Sequence, residues 1–270
     1  MNHRELNIVK LILLLILLGI CVGILVVGLQ KRPFMFSSKT EQIYNKVYDI
    51  QDIIKIKTVN ADIRIKETSS DTIQVVAYGT KNDKISEHIK EGEIELEYTG
   101  KNFCIGFCFF ENYIEILIPS SFEGKAILES TSGDIEVGRL ENSLLEMNTV
   151  SGDIEVKKVK SCDIKSVSGD INIEQVENST VTTTSGDIGI QLLMHQLKAI
   201  STSGDITIQK IALQEDSNIK TVSGDVTIYN PENIYFQTAT KSGEIYIKEN
   251  NRHAEKELKI TTTSGDITIK

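Results

Sequence analysis

A four-residue phrase, Ser-Gly-acid-Ile/Val, recurs eight times in the second half of the chain, starting at Ser132, Ser151, Ser168, Ser185, Ser203, Ser223, Ser242 and Ser264. Its glycines, Gly133, Gly152, Gly169, Gly186, Gly204, Gly224, Gly243 and Gly265, are 19, 17, 17, 18, 20, 19 and 22 residues apart. A period that short cannot be an independently folding module, but it fits one coil of a stacked solenoid.

Apolar residues fall two and four positions after every one of these glycines, from Ile135/Val137 and Ile154/Val156 to Ile245/Ile247 and Ile267/Ile269. A period of two with β-branched residues predicts a strand with one buried face. A second apolar pair lies seven and five positions before the glycine in most copies, as in Leu145/Met147, Cys162/Ile164, Leu197/Ala199 and Leu258/Ile260. Many copies add a third apolar residue seven after it, namely Leu140, Val159, Val176 and Ile211. Each coil is therefore expected to place two short strands around the Ser-Gly turn and to close on a core shared with its neighbours.

The glycines are expected at the turns because glycine takes positive φ without a Cβ penalty. Ser and acid beside them are turn residues able to bond local backbone. The stacked acids Asp134, Asp153, Asp170, Asp187, Asp205, Asp225, Glu244 and Asp266 also admit a second reading, a cation-binding ladder like the acidic turns of calcium-binding β-rolls. At about one strand spacing, roughly 4.8 Å, each like-charge pair costs only ~0.9 kcal/mol in water, so a metal is not required. One carboxylate per coil also falls short of the six to eight oxygens that calcium takes. No metal or cofactor is expected, and these acids stand as weak candidates only.

An eroded copy precedes the array in Ile54, Ile56, Ile63 and Ile65, with Ala61 in the glycine place. The expected architecture is all-β, a parallel β-helix-like solenoid with an irregular N-terminal part over 43–124 and a regular part over 125–270. Before it come a tail over 1–10, an apolar segment over 11–29 and a linker over 30–42. Leu11 to Leu29 is an unbroken run of apolar, Gly or Cys residues, about 28 Å long as a helix, close to the ~30 Å hydrocarbon core. It predicts a retained transmembrane anchor and hence a membrane partner. Arg4 and Lys10 on one side balance Lys31 and Arg32 on the other; the short tail before a large domain favours a signal-anchor with the domain outside.

Of the chain's 29 Lys/Arg and 38 Asp/Glu, four and one precede residue 33, leaving 25 against 37 and a net charge of −12. Such a surface repels nucleic acid, so no nucleic-acid partner is expected. Cysteine usage is not that of a disulfide framework, although Cys104 and Cys108 could close a small loop. That loop also carries Phe103, Phe107, Phe109 and Phe110, either tucked into the solenoid end or forming a partner patch. His3, His88, His195 and His253 are scattered, and no P-loop, dinucleotide fingerprint, nucleophile elbow or zinc motif is present. No catalytic residue is expected, because the short coils leave no long loops to wall a cleft.

The anchor, the Ile-rich opening coil, the run Tyr113 to Pro119 and the tandem Ser-Gly-Asp-Ile coils together resemble the bacterial putative-adhesin family of unknown function, over roughly residues 45–270. Among its types the chain resembles the LiaG-like membrane-anchored envelope proteins of Gram-positive bacteria. That resemblance implies a β-solenoid at the cell envelope, connected with adhesion or envelope stress, and supplies no catalytic residues. The alternatives are a self-assembling scaffold polymer or a cation-binding repeat. Self-association is expected at the C-terminal edge, since the chain stops just after Ile267 and Ile269.

Overall fold

The computed structural model describes residues 40–100 and 111–270, and within them every regular element is a strand. The anchor over 11–29, its flanks, the Phe patch and the Cys104/Cys108 pair lie outside the described residues. Among the described residues no helix is long and apolar enough to cross a membrane.

The described part opens with β1 (Glu41–Tyr48), β2 (Ile53–Thr58), β3 (Asp62–Thr68), β4 (Ile73–Gly79), β5 (Lys84–Lys90), β6 (Glu93–Thr99), β7 (Tyr113–Pro119) and β8 (Lys125–Ser130). Four long strands follow, each bending through most of a coil: β9 (Ile135–Thr149), β10 (Ile154–Ser166), β11 (Ile171–Thr183) and β12 (Ile188–Ser201). The remainder is shorter: β13 (Ile206–Ile211), β14 (Ser217–Lys220), β15 (Val226–Ile228), β16 (Ile234–Ala239), β17 (Ile245–Ile247), β18 (Lys256–Thr261) and β19 (Ile267–Ile269).

Neighbouring coils pair parallel and in register, with Ile135, Ile154, Ile171, Ile188 and Ile206 opposite one another in turn. The expected core positions are the observed core. Isoleucines and valines two and four after the glycine are almost wholly buried in seven of the eight repeats, the exception being Ile245 and Ile247 after Gly243, and Leu140, Val159, Val176 and Ile211 are buried as well. Burying one such side chain is worth roughly 1.5–3 kcal/mol, and no coil could do so without neighbours. Variation in coil length is absorbed at the return bend. Val159 and Ser161 face Leu140 and Leu144, whereas Val176 and Asn178 face Leu193 and Gln196, so the extra residues bulge after the last core position.

Space order departs from chain order at both ends. The first coil, β2–β3, lies between β8–β9 and the later coil β6–β7. Outside β6–β7, antiparallel strands close the stack, β5 on β6, β4 on β7 and β1 on β4. The Tyr44 hydroxyl on β1 donates to Glu87 on β5 at 2.8 Å, tying the two outer strands together. Burial, followed by the hydrogen bonds to Tyr48 and Glu87, pushes the Tyr44 pKa up.

At the other end β18 lies between β14 and β16, and β19 between β15 and β17. The expectation that Ile267 and Ile269 form the edge is therefore corrected. The last coil is interior, and the edge belongs to β16 and β17. The step across two layers is made by the loop between β15 and β16, where Asn230 and Asn233 take φ of 48° and 50°, a conformation asparagine tolerates better than most residues.

Candidate functional site

The repeated phrase is stacked into three ladders along one corner of the solenoid. In the first, each acid's backbone N–H donates to the carboxylate of the acid in the neighbouring coil, at 2.7–3.1 Å. The ladder runs Asp62, Asp134, Asp153, Asp170, Asp187, Asp205, Asp225, Asp266 and Glu244, following space rather than sequence. One oxygen of each aspartate is thus engaged in holding the next coil.

The second ladder explains the glycines, and it corrects the expected reason. None of the eight repeat glycines has positive φ; among the described glycines only Gly92 does, at 76°. A Cβ on Gly169 would instead lie 2.6 Å from the Gly152 carbonyl carbon and still closer to its oxygen, and the same holds up the stack from Gly133 to Gly243. The constraint is backbone passing over backbone. Ala61 takes the glycine place in the first coil and is itself fully buried.

The third ladder lies just outside the four-residue phrase. Three residues before each glycine, and before Ala61, stands Thr58, Ser130, Thr149, Ser166, Thr183, Ser201, Thr221, Thr240 or Thr262. Ser130, Thr149, Ser166 and Thr183 accept the N–H of their glycine at 2.9–3.1 Å, which satisfies a buried donor inside the turn. The motif is properly Ser/Thr-x-Ser-Gly-acid. The Ser of the phrase reaches outward to the previous coil, as Ser168 Oγ does to the Val150 carbonyl at 3.2 Å.

These ladders separate a hydrogen-bonding role from a charge role. Asp170→Asn keeps an acceptor for the Asp187 N–H and is expected to leave the melting temperature nearly unchanged, whereas Asp170→Ala removes it and lowers melting by several degrees. A calcium titration followed by thermal melting is expected to shift neither. Among the described residues no group of three or more His, Cys, Asp or Glu could hold a metal ion.

Beside the acid ladder runs an open trough of about 800 Å³, its surface divided between polar and apolar atoms, lined by Asp187, Asp205, Glu155, Glu174, Asn172, Gln191, Thr207 and Gln209 together with Ile173, Ile188, Gly189 and Ile190. Gly189 lies in it, opposite Asn172 and Thr207, where the outward row of β10 to β13 lacks a side chain. A second depression of about 310 Å³ continues it toward Asp62 and Arg64. Carboxylates and amides at strand spacing suit an extended ligand rich in hydroxyl or cationic groups. The described histidines do not join it: His88 lies on β5, His195 on β12 and His253 in the loop before β18. Cys162 is buried against Ser179 Oγ at 3.2 Å, and burial pushes its thiol up to about 11, so it is an unreactive core residue.

A family profile described as Toastrack DUF4097 matches residues 51–270. The chain belongs to this family. The Toastrack match begins just before β2 and takes in the out-of-order coils at both ends. Among solved structures, the Toastrack chain is similar to a putative lipid binding protein from Parabacteroides distasonis ATCC 8503, at 17% identity and a TM-score of 0.55, over 87% of this chain and 98% of that one. It is also similar to a putative adhesin from Parabacteroides merdae ATCC 43184, at 13% identity and a TM-score of 0.50, over 87% and 97%. At such identities the likeness is one of fold. No curated protein matches.

Proposed function

We propose that this Toastrack protein is a non-enzymatic binding or scaffold module of the cell envelope, held by a single-pass anchor over 11–29 with its acidic solenoid outside the cell. The observation that carries this reading is the division of labour along the coil. The repeated Ser-Gly-acid corner is consumed in stacking, while the adjacent outward row forms a continuous trough whose side chains vary from coil to coil. A surface of that kind is free to diversify for recognition without touching the core. The adhesin name of one structural neighbour and the LiaG-like resemblance support an envelope role, and the net −12 from residue 33 onward argues against nucleic acid and bare anionic lipid as ligands.

The test has two arms. External protease on intact, wall-stripped cells is expected to degrade the solenoid; protection there would sink the outside placement. Full-length protein cross-linked in envelopes is expected to co-purify with a discrete envelope component, and Thr207→Arg, which fills the trough from an outward position, is expected to reduce that capture without lowering the melting temperature. Unchanged capture would move recognition away from the trough.

A further inference from the structure

The two strands at the far end of the stack are unlike each other. On β16 the edge is already occupied: Asn250 folds back from the segment after β17, its Oδ1 accepting the Phe236 N–H at 2.9 Å and its Nδ2 donating to the Phe236 carbonyl at 3.0 Å. A side-chain amide thereby takes the place of a neighbouring strand, and Asn251 Nδ2, bonded to Asn233 Oδ1 at 2.7 Å, holds the same segment down. Ile234 and Phe236 beneath it are buried.

On β17 nothing comparable exists among the described residues. Ile245 is 44% exposed, although its equivalents in the other seven repeats are at most 1% exposed, and Tyr246 is 58% exposed. The β17 ladder to β19 uses the Glu244 carbonyl, which accepts from Ile267 N at 2.9 Å, and the Lys248 N–H, which donates to the Ile269 carbonyl at 3.0 Å. Alternation in a parallel ladder then turns the N–H and C=O groups of Ile245 and Ile247 toward the open side.

The sequence of this edge, Glu244-Ile-Tyr-Ile-Lys248, is complementary to itself when run antiparallel about Tyr246. We propose that β17 is a dimerisation edge, pairing antiparallel with β17 of a second copy of this chain across a twofold axis at Tyr246. Ile245 faces Ile247 of the other copy, and the two exchange both backbone hydrogen bonds. Tyr246 faces its own equivalent, and Glu244 faces Lys248 at the close, non-hydrogen-bonded spacing of about 4.5 Å between Cα atoms. The exposed Ile245 is covered in the same step. A contact of this symmetry closes on itself. Continued parallel stacking into a filament is disfavoured twice, by the Asn250 clamp on β16 and by Glu244, whose carboxylate stands one methylene beyond the place from which every aspartate receives the next coil.

The full chain in density-matched detergent, studied by sedimentation equilibrium, tests the pairing through charge exchange. Glu244→Lys and Lys248→Glu are each expected to weaken dimerisation about tenfold, since either change sets like charges opposite one another. The double variant E244K/K248E is expected to restore it, and an equimolar mixture of the two single variants to form heterodimers. In a background with Cys21, Cys104 and Cys108 changed to Ser, Tyr246→Cys is expected to form a disulfide-linked dimer on mild oxidation, while Thr227→Cys, on the outward face of β15, does not. A strict monomer at high concentration overturns the proposal, as do oligomers that grow beyond two and a double variant as weak as its parents. Glu244, Tyr246 and Lys248 are exposed, so unchanged melting temperatures separate lost pairing from lost folding.

Discussion

Removing residues 256–270 is expected to release two coils rather than one. The deleted segment supplies β18 and β19, which are the only layer between β14–β15 and β16–β17. Leu258, Ile260, Ile267 and Ile269, all at most 1% exposed, go with it. At roughly 1.5–3 kcal/mol each, their loss removes on the order of 6–12 kcal/mol of gross burial, an upper bound set by an extended reference chain. The coil 234–247 is then left facing a gap, held away by a loop whose left-handed Asn230 and Asn233 are set for a two-layer step. Limited proteolysis with mass spectrometry should find cleavage within 229–255 in the truncated chain and none there in the full chain, while 125–220 stays protected because a solenoid melts from its ends. Continued protection of 229–255 would mean that this coil drops into the vacant layer, and the out-of-order arrangement would then be a preference rather than a requirement.

The second large effect is expected from a single methyl group. Gly169→Ala in the middle of the stack drives Cβ into the Gly152 carbonyl, backbone against backbone, with no side chain to give way. Separating the two coils there disturbs the acid ladder and the registered isoleucines together, and a cost of about 3 kcal/mol is expected, at the upper end for overpacking. For a domain of this size that is a fall of about 6–12 °C in melting temperature. Gly189→Ala is the internal control. Its Cβ would meet only the Asn172 side-chain amide oxygen at 2.7 Å, which can swing into the trough, so its melting point should move little. Equal effects at the two positions would show that the clash between turns is not what selects glycine in the repeat.

Period and apolar spacing located the core because nearly every coil buries the same positions, and even Ala61 and its flanking isoleucines read as a coil. The reason for glycine was not legible, because the obstructing carbonyl belongs to the neighbouring coil and a single repeat contains no trace of it. The same holds for the acids, whose partner N–H is a whole coil away. The Ser/Thr three positions before each glycine was legible in all nine coils, but its regularity hides among residues that look like ordinary turn polarity. The exchange of the last two coils left only oblique marks, the 22-residue final spacing, the Asn230-Pro231 pair and the substitution of Glu for Asp at the one place with no coil to follow. Similar coils compete for the same place, and their pattern cannot say which one occupies it.

The interleaved ends also bear on how such a protein can change its length. At each end two coils are locked together in an order that the connecting loops enforce, and an added or lost repeat there would have to rebuild a crossover. Between Ile135 and Thr183 the situation is the reverse: each layer meets the same glycine, the same carboxylate and the same isoleucine above and below. A segment of 17 residues, the spacing of Gly152, Gly169 and Gly186, could be duplicated or deleted there with every partner replaced in kind. Such a chain is a ruler extensible from its middle, and its reach can be altered without redesigning either terminus.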